Sequence, residues 1–203
     1  MGNSVMADNT YNETVKPDPM EWAYKKEAFL DTVIKHEGGY VDNPLDPGGE
    51  TKYGISKKQY PKMDIKNLDI ESAKEIYRKD FLPSAEVNYG KNEFAFKMAD
   101  IGINAGPQLG TEIMQRSLNT LARWNSIEGI DLDEDGLMGS GTRKAYNKVV
   151  SNPDNKKQLM TLVVSNQTRY YAGEEFNTKT ISKEQVAEFG KGWKERASYK
   201  GEG

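Results

Sequence analysis

Glu37, Asp46 and Thr51 are the side chains whose types and spacing could break a glycosidic bond. That reaction needs a proton donor for the leaving oxygen. It also needs a second group that handles water, or the developing positive charge, on the other face of the sugar. Glu37 suits the first role. It follows an apolar stripe and falls at the C-terminal end of a predicted helix, where the backbone dipole is negative. Both features disfavour the carboxylate, so the expectation is a raised pKa and a carboxylic acid with a proton to give. Asp46, nine residues on in a Pro-Gly turn, should be better solvated and stay ionised, able to polarise water or stabilise a sugar cation. The Thr51 hydroxyl could hold the same water, and Gly48 and Gly49 leave room for a sugar chain to approach. From spacing alone, a Glu at a helix end followed by an Asp turn is more often structural than catalytic.

The elements that must position these groups are mostly helical, because apolar residues recur at helical rather than alternating spacing. The first helix is predicted over Glu21–Glu37, with Trp22, Phe29 and Val33 in one stripe and Gly38-Gly39 ending it. The stretch 40–56 is dense in Pro, Gly, Asp and Asn, which predicts turns and at most a small hairpin. Further helices are predicted over Asp69–Leu82, stopped by Pro83, then Glu93–Asn104 and Leu109–Trp124, with Gly106-Pro107 breaking the chain between the last two. Residues 125–141 read as loop, and Thr142–Val150, Asn155–Phe176 and Ser182–Tyr199 as the last helices. The fold class expected is mainly α. The chain divides in this reading into a polar tail over 1–20, a catalytic region over 21–113, and a helical region over 114–203 packed on the first.

Composition removes several function classes. Without cysteine, disulfides, thiolate catalysis and Cys-ligated zinc are excluded. A net charge of −3 gives no basic field for nucleic acid, and Lys156, Lys157 and Arg169 read as a solvated helix face. No apolar run reaches the length of a membrane span, and the first 20 residues lack the basic start and apolar run of a signal peptide. The expectation is a chain made in the cytoplasm that acts on the cell wall or periplasm after release, with no cofactor or metal and as a monomer. His36, the one histidine, points about 100° away from Glu37 on a helix and reads as a packing or solvent-facing residue. Asp131, Asp133, Asp135 and Gly136 resemble the start of a calcium loop. The twelfth position, however, is Thr142 instead of a bidentate Glu, so an acidic turn capping the next helix is the favoured reading. Trp193, with Gly190 and Gly192 just before it, reads as packing for the last helix.

The full string is more specific than its parts. His36-Glu37-Gly38-Gly39-Tyr40-Val41, then Asp46-Pro47-Gly48-Gly49-Glu50-Thr51-Lys52-Tyr53-Gly54-Ile55-Ser56, resembles the signature of glycoside hydrolase family 108. Ile76-Tyr77-Arg78, Asp100 to Gly106, Gln115, and Phe189 to Trp193 with Arg196 resemble its later blocks. Asp135-Gly136 and Gly139 to Thr142 look like the loop of a linked peptidoglycan-binding region, without the usual Pro. The resemblance implies a lysozyme-like helical fold and an N-acetylmuramidase that cuts between N-acetylmuramic acid and N-acetylglucosamine, with peptidoglycan glycan strands as partner. It places the catalytic Glu on Glu37. The order Glu-Asp-Thr is also similar to the triad of phage-type lysozymes, with an Asp-to-Thr gap one residue shorter. Tyr40 and Tyr53 flank the turn and could stack on sugar rings. Asp100 and Asn104, four apart on one helix face, would line the cleft. The leading expectation is an inverting muramidase. A lytic transglycosylase, using one Glu and the muramic 6-hydroxyl, is the alternative within enzymes, and a non-catalytic wall-binding or secretion-assisting module the alternative outside them.

Overall fold

Asp18 starts the first helix by accepting a hydrogen bond from the Met20 amide at 2.8 Å, with Pro19 at the first helical position, where its missing N–H costs nothing. In the computed structural model, which describes residues 18–42 and 49–177, this helix is α1 (Pro19–Glu37). Gly38 ends it at φ +74°, a conformation that favours glycine. The chain then forms β1 (Thr51–Lys52) and β2 (Ile55–Ser56), paired antiparallel, with Val41 bridging Thr51 on the other side. Five further helices precede the last: α2 (Ile70–Asp80), α3 (Leu82–Tyr89), α4 (Glu93–Ala105), α5 (Pro107–Trp124) and α6 (Ser140–Val150). The last among the described residues is α7 (Pro153–Tyr171). The fold is mainly α with one two-stranded sheet, the class expected from the sequence.

Two departures share a cause. Pro83 does not stop the chain: it sits in the first turn of α3, a helix that the sequence reading missed. Pro107 likewise sits in the first turn of α5, so that helix begins two residues before the expected Leu109. Proline is excluded from helix interiors but tolerated at their start, so each Pro marks a boundary with helix on both sides. The expected helix over 182–199, with Trp193, lies outside the described residues. α5 also runs unbroken across position 113, where the sequence reading had placed its boundary between two regions.

The core lies in two clusters joined by α4. Phe29, Leu30, Val33 and Ile34 of α1 bury against Ile55, Tyr77 of α2, and Ala95, Phe96 and Ala99 of α4. The Phe96 ring stacks on Trp22 at 4.5 Å and on Phe29 at 5.1 Å. The other face of α4, through Phe94, Met98, Ile101 and Ala105, buries against α5, α6 and α7. Helix α2 is fixed to α1 by charges at matching i, i+4 spacing. Glu27 and Asp31 of α1 face Lys74 and Arg78 of α2, with Arg78 to Glu27 at 2.7 Å. This pairing sets Tyr77, between the two cations in sequence, towards the end of α1 that carries Glu37.

Candidate active site

Glu37 is the last residue of α1 and is half-buried, while His36 beside it is exposed, as expected. The tightest feature around Glu37 is the turn between β1 and β2. Tyr53 (φ +51°) and Gly54 (φ +74°) both take positive φ, the signature of a two-residue type I′ hairpin turn, which twists with its strands. The turn is folded back onto the helix end: the Tyr53 amide donates to Gly38 O at 3.3 Å. From the other side the buried Tyr77 hydroxyl donates to Tyr53 O at 2.7 Å. The outcome is a close approach at Gly54. A Cβ there would lie 2.6 Å from Glu37 Oε2, 2.9 Å from its Cδ and 2.5 Å from the Tyr77 hydroxyl. The glycine is thus required twice, for its backbone angle and for the space that the carboxyl group occupies.

Of the residues singled out from sequence, this site brings together Glu37 and Tyr53 and adds Gly54 and Tyr77. Thr51 lies at the start of the hairpin, half-buried, its hydroxyl donating to Gly49 O at 3.2 Å. Tyr40 sits across from Glu50 and donates to its carboxylate at 2.9 Å. That bond, with some burial and the nearby negative charge of Asp42, pushes the Tyr40 phenol up to about 12. Asp46 and Gly48 lie outside the described residues. Asp100 is only 2% exposed, so its carboxyl does not present itself to an open groove. Asn104 is half-buried and donates its amide to Asp100 O at 3.1 Å. Tyr77 stands out in the sequence only within the block Ile76-Tyr77-Arg78, with no sign of its role, because its contacts join residues 23 or more positions apart.

A cleft opens at the end of α2. The Phe81 ring lies 5.3 Å from that of Tyr77 and forms a wall of a cleft of about 160 Å³ bounded by α3, α4 and α5. At the cleft's rim, Asp80 accepts a 2.6 Å hydrogen bond from Tyr60, tying the segment after the hairpin to the end of α2. Among the described residues, no group of three or more His, Cys, Asp or Glu side chains could hold a metal ion. The acidic turn at 131–136 is instead tied to α5. Gln115 donates to Asp135 at 2.8 Å and to Thr142 at 3.2 Å, and accepts from the Gly136 amide at 2.9 Å. No described helix is long and apolar enough to cross a membrane.

The segment that holds this geometry, residues 30–106, matches the family model described as Glycosyl hydrolase 108. That segment of the chain is similar to glycosyl hydrolase family 108. The match supports a lysozyme-type glycoside hydrolase that acts on peptidoglycan, and the matched segment contains Glu37, the hairpin, Tyr77 and all of α4. The fold of the whole chain is similar to a solved structure titled "Structure of Brucella abortus SagA". The TM-score is 0.58 at 24% identity, over 87% of this chain and 91% of that one. No curated protein sequence matches the chain.

Proposed function

We propose that the chain is an N-acetylmuramidase cutting the β-1,4 bond between N-acetylmuramic acid and N-acetylglucosamine, with Glu37 as the general acid. The observation that carries this reading is the placement of the Glu37 carboxyl: half-buried at the foot of α1 and pressed against a glycine turn inside the segment similar to glycosyl hydrolase family 108. A carboxylic acid held there gives its proton to the glycosidic oxygen as the C1–O bond breaks. Water then attacks the anomeric carbon from the opposite face and loses its proton to a second carboxylate, for which Asp46 is the candidate, with Thr51 beside the water. The products are a new reducing end and a free 4-hydroxyl, with the anomeric configuration inverted. The enzyme meets this substrate at the cell wall.

Mass spectrometry of fragments from purified sacculi, after reduction with borodeuteride, tests the reaction type. Hydrolysis leaves muramic acid reducing ends that take up deuterium. Anhydromuramic ends, which take up none, would instead make the enzyme a lytic transglycosylase and leave no role for Asp46 in activating water. Labelled glucosamine ends would mean that the other glycosidic bond is cut.

A further inference from the structure

Five lysines, Lys52, Lys57, Lys58, Lys62 and Lys66, fall on the hairpin and the segment after it, in a chain whose net charge is −3. One carboxylate, Asp64, stands among them in sequence. It is turned to Asn67, which donates its backbone N–H at 3.2 Å and its side-chain amide at 2.9 Å. None of the five lysines is in an ion pair among the described residues. By contrast, Lys25, Lys26, Lys74, Arg78 and Lys79 on α1 and α2 each have a carboxylate partner. The cations that hold helices together are neutralised, and those beside the hairpin are not.

Backbone contacts gather these charges on one face. Lys52 Nζ donates to Lys66 O at 3.0 Å, and Lys57 Nζ donates to Met63 O at 2.7 Å. The two bonds fix both ammonium groups in place, and each keeps further N–H donors to give. The carboxyl of Asp64 is held below its usual range first by the bonds from Asn67 and then by the charges of Lys57 and Lys66, so both cations bear on the same spot. The side chains of Lys58, Lys62 and Lys66 are exposed. Like charges gathered on one face repel one another and draw in anions. Lys52 stands two residues before Gly54, the residue that abuts the Glu37 carboxyl, so the face lies beside the acid.

We propose that this basic face binds the free carboxylates of the peptides attached to muramic acid, so that the enzyme selects strands that carry acidic peptides. The proposal rests on the muramidase reading above and gives a partner to a surface which that reading does not use. The sugars themselves offer no matching charge. N-acetylglucosamine is neutral, and the lactyl carboxyl of muramic acid is taken up in an amide wherever a peptide is attached. A cut next to muramic acid therefore has an acidic peptide close by. Exposed lysine–carboxylate pairs are individually weak, so the face acts by the number of its cations, and its contribution depends on salt.

Co-sedimentation of the full chain carrying Glu37→Gln tests the proposal, on purified sacculi and on sacculi whose carboxylates have been amidated with carbodiimide and ammonium chloride. One further variant adds Lys58→Gln, Lys62→Gln and Lys66→Gln. A control with the same net charge adds Lys91→Gln, Lys144→Gln and Lys157→Gln, exposed lysines elsewhere on the chain. At low salt, amidation should weaken binding of the Glu37→Gln chain about tenfold, the first triple change should do the same, and the control should bind as its parent does. The effect of amidation should vanish at about 1 M salt, where the screening length is about 3 Å. No binding to untreated sacculi, equal binding to both kinds of sacculi, or equal loss in the two triple variants would each overturn the proposal. Binding lost after hydrofluoric acid has stripped phosphodiester polymers from untreated sacculi would also overturn it, and would assign the face to phosphate. The catalytic reading is separable: if Glu37→Gln still lyses sacculi while amidation weakens its binding, the basic face stands and the role of Glu37 falls.

Discussion

Replacing Gly54 by alanine should cost far more in activity than in stability, and the structure fixes both amounts. The new Cβ would sit 2.6 Å from Glu37 Oε2, against the 3.4 Å at which ordinary contact begins, so the carboxyl must retreat by most of an ångström. Misplacing a reacting group by about 1 Å can cost on the order of 10²-fold in rate, and that is the loss expected here. The stability term is smaller. Holding a residue with a Cβ at φ +74° costs about 1–2 kcal/mol. For a chain of this length that lowers the unfolding midpoint by roughly 2–8 °C. Gly129 provides the control, since it has φ +72° but nothing within 4 Å of an added Cβ. Turbidity loss on purified sacculi, with calorimetry on the same samples, should give a lower midpoint for Gly54→Ala than for Gly129→Ala, because the Tyr77 hydroxyl 2.5 Å from the new Cβ must also give way, and near-wild-type lysis for Gly129→Ala alone. Lysis by Gly54→Ala within threefold of the Gly129 variant would refute the claim that the carboxyl acts from this position.

Tyr77→Phe removes the hydroxyl that holds Tyr53 O. It should lower stability by about 1–2 kcal/mol in denaturant unfolding, and lower kcat with little change in KM as the hairpin loosens against Glu37. Arg116 lies between Glu112, Glu134 and Glu174 and over the Phe176 ring at 3.8 Å. Because Glu112 is fully buried, Arg116→Met should cost about 3–5 kcal/mol, read as a midpoint lowered by roughly 10 °C. The Gln115 amide, and next the Leu137 N–H, hold Asp135 below its usual value of 3.8. A carboxyl with a depressed folded pKa stabilises fully above the unfolded value and loses that contribution as pH falls through the folded one. The midpoint gap between wild type and Asp135→Asn should therefore be constant near neutrality and close below about pH 4.

Much of the architecture was legible because it rests on local rules. Glu37 as the end of a helix followed from Gly38, and the small hairpin from the glycine-rich stretch at 40–56. The bounds of α2 and α4 lay within two residues of those expected, since Asp69 and Asn92 cap them from sequence positions that favour caps. Pro83 and Pro107 misled because the same residue ends one helix and opens another. What the sequence could not reveal was long-range. The approach of Glu37 and Tyr77 to Gly54 and the burial of Asp100 on a helix whose two faces both meet core depend on which helices meet. No spacing rule encodes that. The linking of loop 125–139 to α5 by Gln115 and Asn119 was equally hidden, although the two residues stand four apart on one face.

The most direct test of the central claim is the Glu37→Gln variant, isosteric and without a proton to give at any working pH. Incubated with purified sacculi at wild-type concentration, and checked by circular dichroism to have the wild-type helix content, it should release no new reducing ends above background. Release at the wild-type rate from a folded Glu37→Gln enzyme would contradict the assignment of the acid and the mechanism built on it.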